Sequence, residues 1–376
     1  MKKLLLYGLA IWLIFSACSP KNEAKEALWA EIASFCQVPE EFKGVYGDYR
    51  SPLLFYNGDS VKTPEDWKRR RKEIKEQWMK LMGEWPDLLL ANKLEILSAE
   101  KKEKYTEYRV RLKWTPSETT EGYLLKPDTK GSKPAVITVY YEPETSAGHI
   151  ESKQHCNYGV HLVDRGFVVL ALGTKEATAS KTYSLFYPSI DDASVEPLSM
   201  LAYAAANAYE ALAKEEDVDA SRIGIVGHSF GGKWAMFASC LYDKFACSVW
   251  SDPGIVFDET RADVNYWEPY YLGYHPRPWR KRGRITPENP AQGVYLDLVR
   301  DGYDLHELHA LMAPRPFLVS GGSEDPVERW IPLNHTIQVN QLLGFENRVG
   351  MTNRKEHKGD EHSMKQLCDF LEYFLK

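Results

Sequence analysis

Apolar and polar residues alternate through Tyr105–Lys126. Tyr108, Val110, Leu112 and Trp114 precede Thr115-Pro116-Ser117, and Tyr123 and Leu125 follow it. A period of two interrupted by turn-forming residues predicts an antiparallel hairpin. Upstream the period is helical: Trp67, Ile74, Trp78, Leu81 and Met82 fall near one face. The start Thr63-Pro64-Glu65-Asp66 supplies a hydroxyl cap, a first-turn proline and acids, so a helix is predicted from there to about Gly83. Downstream the rhythm changes. Near-continuous apolar runs at Ala135–Tyr141, Phe167–Leu172, Ile223–Val226, Ala246–Trp250, Pro316–Val319 and Arg348–Thr352 alternate with helix-like stretches at 152–165, 197–214, 233–241 and 366–376. Strands apolar on both faces and separated by helices predict an α/β fold, a mostly parallel central sheet covered on both sides.

One segment breaks this rhythm. After the predicted sixth strand, about 257–305 forms no clear βα unit. It carries Tyr266, Trp267, Tyr270, Tyr271, Tyr274, His275 and Trp279, followed by the cations Arg280, Lys281, Arg282 and Arg284. So long a connection in a compact domain is usually functional, and its aromatic content argues for order.

The chemistry starts at Gly227-His228-Ser229-Phe230-Gly231, a G-x-S-x-G between a strand and a helix. In that context the serine sits on a strained turn with its hydroxyl lifted above the sheet edge, and the glycines permit close backbone approach. Such a serine needs a base oriented by an acid. His357, in the loop before the last helix, is the expected base; His362, at the start of that helix, is the alternative, with a capping role expected for it. His228 is expected to pack beneath the nucleophile. Asp325, in Ser320-Gly-Gly-Ser-Glu-Asp325-Pro326 after a strand, is the expected acid. Glu324 is its neighbour and Asp252, just after another strand, its rival. The oxyanion donors are expected to be backbone amides, Phe230 and one near Tyr141.

The 376 residues carry a net charge of −6, which gives no reason to expect a nucleic-acid partner. Lys2 and Lys3 before the apolar Leu4–Phe15 read as a signal peptide over 1–17. Phe15-Ser16-Ala17-Cys18 resembles a bacterial lipobox, so Cys18 is expected to be lipidated, anchoring an exported lipoprotein to a periplasmic or outer-membrane face. The sequence then predicts a tether and irregular arm over 18–60, a helix-and-hairpin extension over 61–122, and a catalytic domain over 123–376. Five further cysteines, an odd number with no metal-binding spacing, read as buried free thiols.

Together these residues resemble the α/β-hydrolase superfamily over roughly Tyr123 to Lys376, and within it the carbohydrate-esterase and dienelactone-hydrolase-like branch. Gly227-His-Ser-Phe-Gly-Gly-Lys233 is similar to the glucuronoyl-esterase pattern G-C-S-R-x-G-K, with Phe230 in place of the arginine. Asp304–Leu318 looks like the segment before their seventh strand. The resemblance implies the order Ser, acid, His, and an exported serine esterase acting on esterified polysaccharide without metal or cofactor. In those enzymes the acid can also follow the sixth strand, where Asp252 stands. Methyl or acetyl esters on a pectin-like chain are the expected substrates, with Lys233, Trp267 and Arg280 in contact with them. The alternatives are a prolyl-oligopeptidase-type serine peptidase, for which the N-terminal region is too short to hold a propeller, and a non-catalytic glycan-binding lipoprotein.

Overall fold

The computed structural model describes residues 20–376. The signal peptide expected over 1–17 and the lipidation site Cys18 lie outside the described residues. The described residues begin with α1 (Pro20–Ile32), where an irregular arm was expected. Its Ala, Glu and Lys residues are intrinsic helix formers without a clear apolar period, so the pattern did not reveal it. Trp29 of α1 lies against Tyr373 at the other end of the chain, ring centroids 5.2 Å apart. The predicted helix is α2 (Pro64–Met82). Thr63 Oγ1 accepts from the Asp66 amide and Asp66 accepts from the Thr63 amide, closing a capping box.

Next come β1 (Glu95–Lys101), β2 (Tyr105–Lys113) and β3 (Thr119–Pro127). The last two form the hairpin, with Lys113 opposite Thr119. β1 was not predicted; it is an edge strand with almost no buried side chain, so it lacks the apolar alternation that marks a strand. The α/β part follows as β4 (Lys133–Tyr140), α3 (Pro143–Ser146), α4 (Tyr158–Asp164), β5 (Val168–Gly173) and α5 (Lys175–Ala179). A small ribbon of β6 (Tyr187–Ser189) and β7 (Asp192–Val195) precedes α6 (Pro197–Leu212). Then come β8 (Val218–His228), α7 (Phe230–Leu241), β9 (Cys247–Ser251), α8 (Val294–Arg300), α9 (His306–Ala310), β10 (Phe317–Gly321), α10 (Trp330–Leu342), β11 (Val349–Asn353) and α11 (Glu361–Leu375).

The main sheet runs β1-β2-β3-β5-β4-β8-β9-β10-β11. β1, β2 and β3 pair antiparallel and β3 joins β5 antiparallel; from β5 to β11 the pairing is parallel. Both faces are covered. Ile137, Leu170, Ile225, Trp250 and Val319 pack toward α2, α6 and α7 in one cluster, and their neighbours Val136, Val169, Val226, Val249 and Leu318 pack toward α4 and α11 in the other. Alternate side chains serving two cores explain why these strands read as continuous apolar runs.

The N-terminal extension shares the first cluster through Trp67, Ile74, Trp78, Val110 and Leu112. A buried carboxylate reinforces this join: Glu307 accepts from Trp78 Nε1 at 3.1 Å and from the Tyr56 hydroxyl at 3.0 Å, with the Arg70 guanidinium 3.6 Å away. The aromatic insertion is ordered and also mostly core, since Tyr266, Trp267, Tyr271 and Tyr295 are buried. The five described cysteines are free. Among the described residues no helix is long and apolar enough to cross a membrane.

Candidate active site

β8 carries the chain to the carboxyl edge of the sheet and turns sharply at Ser229, whose backbone takes φ 56° and ψ −115° before α7 begins at Phe230. Sterics dictate both glycines. A Cβ at Gly227 would lie 2.1 Å from the Gly231 carbonyl oxygen, and one at Gly231 would lie 2.0 Å from that of Val139. The Ser229 amide donates to the Ser251 carbonyl at 2.8 Å, fastening the turn to the end of β9. His228 is buried beneath it, with Nδ1 3.0 Å from Ser251 Oγ. Desolvation holds its pKa well below the ordinary histidine range, so this ring is neutral and packs under the nucleophile.

His357 hangs from the loop after β11. Its Nε2 lies 2.8 Å from Ser229 Oγ and its Nδ1 2.7 Å from Asp252 Oδ2. A carboxylate only accepts, so Nδ1 carries the proton and Nε2 is the acceptor for the serine hydroxyl. The alternative His362 is exposed in the first turn of α11. A residue not singled out in the sequence holds the His357 loop. Arg354 donates to the carbonyls of Ser320, Gly321, His357 and Lys358, tying the loop to the end of β10. Its signal was too weak to find, since one exposed-looking arginine in a polar loop resembles any other.

The acid requires a correction: Asp252, not Asp325, meets His357. Asp252 follows β9, is fully buried and adopts φ 50°. Its Oδ1 accepts from the amides of Gly322, Glu324 and Asp325 at 2.6, 3.1 and 2.8 Å, leaving Oδ2 for the imidazole. A Cβ on Gly322 would come within 2.6 Å of Oδ2, so that glycine admits the carboxylate. Asp325 returns the grip, accepting from the amides of Gly254 and Ile255 at 2.8 and 2.6 Å. Each aspartate clasps the loop that carries the other, and only Asp252 faces the base. Burial, and then the Asp252 charge, push Asp325 up to about 6. Glu324 points elsewhere, accepting from its neighbour Ser323 Oγ.

Phe230, one of the two expected oxyanion positions, directly follows Ser229. Phe230 opens α7, where an amide has no intrahelical acceptor and the helix dipole favours negative charge. Tyr141, the other expected position, stands beside it, its ring stacked on Phe230 with centroids 4.8 Å apart. Burial raises the Tyr141 pKa to about 12, so the phenol remains a proton donor at neutral pH. The residues expected at the substrate are buried among internal partners. Lys233 is buried and donates to the carbonyls of Pro253 and Asp263; Trp267 is buried with its Nε1 on the Gly283 carbonyl. Arg280 is buried against Glu268 at 3.0 Å. All three hold the insertion together, because a polar group buried without partners is costly and these have found theirs inside. Beside the site, His155, Cys156 and His228 bring three ligand atoms within 4.8 Å of one another. His228 is already bonded to Ser251, and burial pushes the Cys156 thiol up to about 12, which keeps the sulfur protonated at neutral pH.

A serine after β8, an aspartate after β9 and a histidine after β11, hydrogen-bonded in series across a parallel sheet, decide the architecture. The chain has the α/β-hydrolase fold. It matches the prolyl oligopeptidase family over residues 204–366. A glucuronoyl esterase from Solibacter usitatus is similar in structure, with TM-score 0.69 and 18% identity, over 89% of this chain and 100% of that one. A carbohydrate esterase family 15 glucuronoyl esterase from Caldicellulosiruptor kristjansonii has TM-score 0.62 and 19% identity, over 90% and 93% of the two chains. A Sporotrichum thermophile glucuronoyl esterase variant crystallised with methyl 4-O-methyl-β-D-glucopyranuronate has TM-score 0.57 and 18% identity, over 90% and 91%. No curated protein matches the chain in sequence.

Proposed function

We propose that this α/β-hydrolase is an exported serine esterase that removes methyl or acetyl groups from a plant cell-wall polysaccharide, with pectin-like chains favoured. The hydrogen-bonded chain Ser229–His357–Asp252 carries the reading. His357 Nε2 takes the Ser229 proton as Oγ attacks the ester carbonyl carbon. The Phe230 amide and Tyr141 phenol stabilise the resulting oxyanion. On collapse the carbon–oxygen ester bond breaks, and imidazolium returns the proton to the leaving oxygen, either methanol or the sugar hydroxyl. Water, activated by the same imidazole, then hydrolyses the acyl-enzyme. Asp252 orients the ring and stabilises its charge throughout.

Esterase chemistry is favoured over peptidase chemistry because the esterase structures match 89–90% of the chain, whereas the peptidase family matches only 204–366. The test is release of methanol or acetate from esterified pectin and xylan, lost in Ser229→Ala. Cleavage of a peptide with no release from either glycan would overturn it. The lipid anchor rests on the sequence around Cys18; incorporation of labelled palmitate, abolished in Cys18→Ala, is its expected outcome, and equal labelling of both forms would refute it.

A further inference from the structure

The basic run in the insertion is sorted by its partners. Arg277 pairs with Asp191. Arg280 is spent internally, on Glu268 and on the carbonyls of Gly283, Arg284, Asn289 and Pro290. The Gly283 amide donates to the same Glu268 at 2.9 Å, and the Gly283 carbonyl receives Trp267 Nε1. Arg282 therefore stands between two pinned residues while its own side chain is exposed. A buried ion pair contributes little net stability, so its use here is to fix the loop that presents the next cation.

That cation faces the site. The Arg282 guanidinium lies 5.5 Å from the Tyr183 ring centroid, with Nη1 3.4 Å from its hydroxyl. The Tyr183 ring under it packs against Tyr270 on one side and Tyr141 on the other. Tyr141 in turn stacks on Phe230, the residue that follows Ser229. The four tyrosine rings form a contiguous wall, with centroids 6.2 Å apart for Tyr141–Tyr183, 5.0 Å for Tyr183–Tyr270 and 4.7 Å for Tyr270–Tyr271. Among the described residues Arg282 forms no ion pair, and the buried Glu268 is already held by Arg280. A planar five-donor cation at the rim of an aromatic wall matches a carboxylate on a sugar whose flat face stacks below it.

We propose that Arg282 binds a free carboxylate on the sugar unit next to the esterified one, so that the preferred substrate is a partly esterified polyuronate rather than a neutral ester. The inference rests on the esterase reading and goes beyond it by assigning charge recognition to one residue. Its test is the ratio of kcat/KM on a partly methyl-esterified oligouronate to that on 4-nitrophenyl acetate. Replacing Arg282 by Gln lowers this ratio by about 10–100-fold, the effect of losing one charge-assisted hydrogen-bonded contact. Arg282→Lys recovers part of it, and salt erodes the ratio in the native enzyme more than in Arg282→Gln. A ratio within about two-fold of native in Arg282→Gln, or one equally salt-sensitive in both, overturns the proposal. The esterase reading stands in either case if both substrates are turned over. If the native enzyme hydrolyses no ester, both fall.

Discussion

Replacing Asp252 by Asn isolates the tautomer argument, because the surrounding amides dictate how the new side chain must sit. Oδ1 of Asp252 is held by the amides of Gly322, Glu324 and Asp325. Only the asparagine oxygen can accept those donors, so the NH2 group is forced toward His357. The imidazole must then present an unprotonated Nδ1, which places its proton on Nε2, facing Ser229 Oγ. A ring protonated there cannot accept the serine proton. The expected loss in kcat is about 10⁴-fold, on the order of 5 kcal/mol of barrier, by analogy with the same replacement in a chymotrypsin-type triad. Folding should survive, because the oxygen keeps the clasp. Asp325→Asn reverses the balance. Both its oxygens receive amides, from Gly254 and Ile255. Its NH2 would oppose one N–H, costing about 1–3 kcal/mol of stability while kcat stays within about ten-fold of native. Steady-state ester hydrolysis with urea unfolding on both variants checks the pair. A larger kcat loss in Asp325→Asn than in Asp252→Asn, with both variants folded, would refute the assignment of the acid.

The same pair predicts a pH signature. Asp325 has a pKa of about 6 in the folded state against 3.8 ordinarily, so the native protein binds the extra proton between those values, and stability falls as pH rises through that window. Urea unfolding from pH 4 to 7 should show a less negative slope in Asp325→Asn; an unchanged slope contradicts the shift. Arg354→Ala cuts the tie between the His357 loop and β10, and kcat is expected to fall about 10²-fold through misplacement of the ring, with Arg354→Lys failing to restore it for want of a fork. Native kcat in Arg354→Ala would dismiss that role. Gly231→Ala drives a Cβ into the Val139 carbonyl and should cost upward of about 3 kcal/mol or abolish folding, read by thermal melting. Glu307→Ala leaves Trp78 Nε1 and the Tyr56 hydroxyl without their acceptor, while Arg70 keeps Glu73 at 2.6 Å, and is expected to cost about 1–3 kcal/mol; an unchanged stability would mean the extension is not tied down by this carboxylate.

Sequence legibility followed how local each determinant is. The serine turn was readable because its constraint is carried by neighbours: Gly227 and Gly231 are glycines for a clash within five residues and against one adjacent strand. The parallel strands were readable because each serves two cores, which leaves a continuous apolar run. β1 was not, since its side chains are mostly exposed and only backbone pairing to β2 makes it a strand. The insertion misled for a related reason. Trp267 and Arg280 have the composition of a sugar-binding surface, but burial and internal partners turn them into scaffold, whereas Arg282 keeps an open face.

The choice between Asp252 and Asp325 shows where reading residue by residue fails in principle. Both aspartates follow strands at the same sheet edge, and both are fully buried. Both accept backbone amides, each from the other's loop. Every local property that would mark a triad acid is therefore shared. What separates them is a single contact, Asp252 Oδ2 to His357 Nδ1, made between residues 105 positions apart. The reciprocal clasp also gives the second aspartate a purpose. By gripping the amides of Gly254 and Ile255, Asp325 fixes the loop on which Asp252 holds its φ of 50°. A conformation disfavoured for a residue with a Cβ persists only when its surroundings over-determine it, and the second carboxylate supplies that constraint.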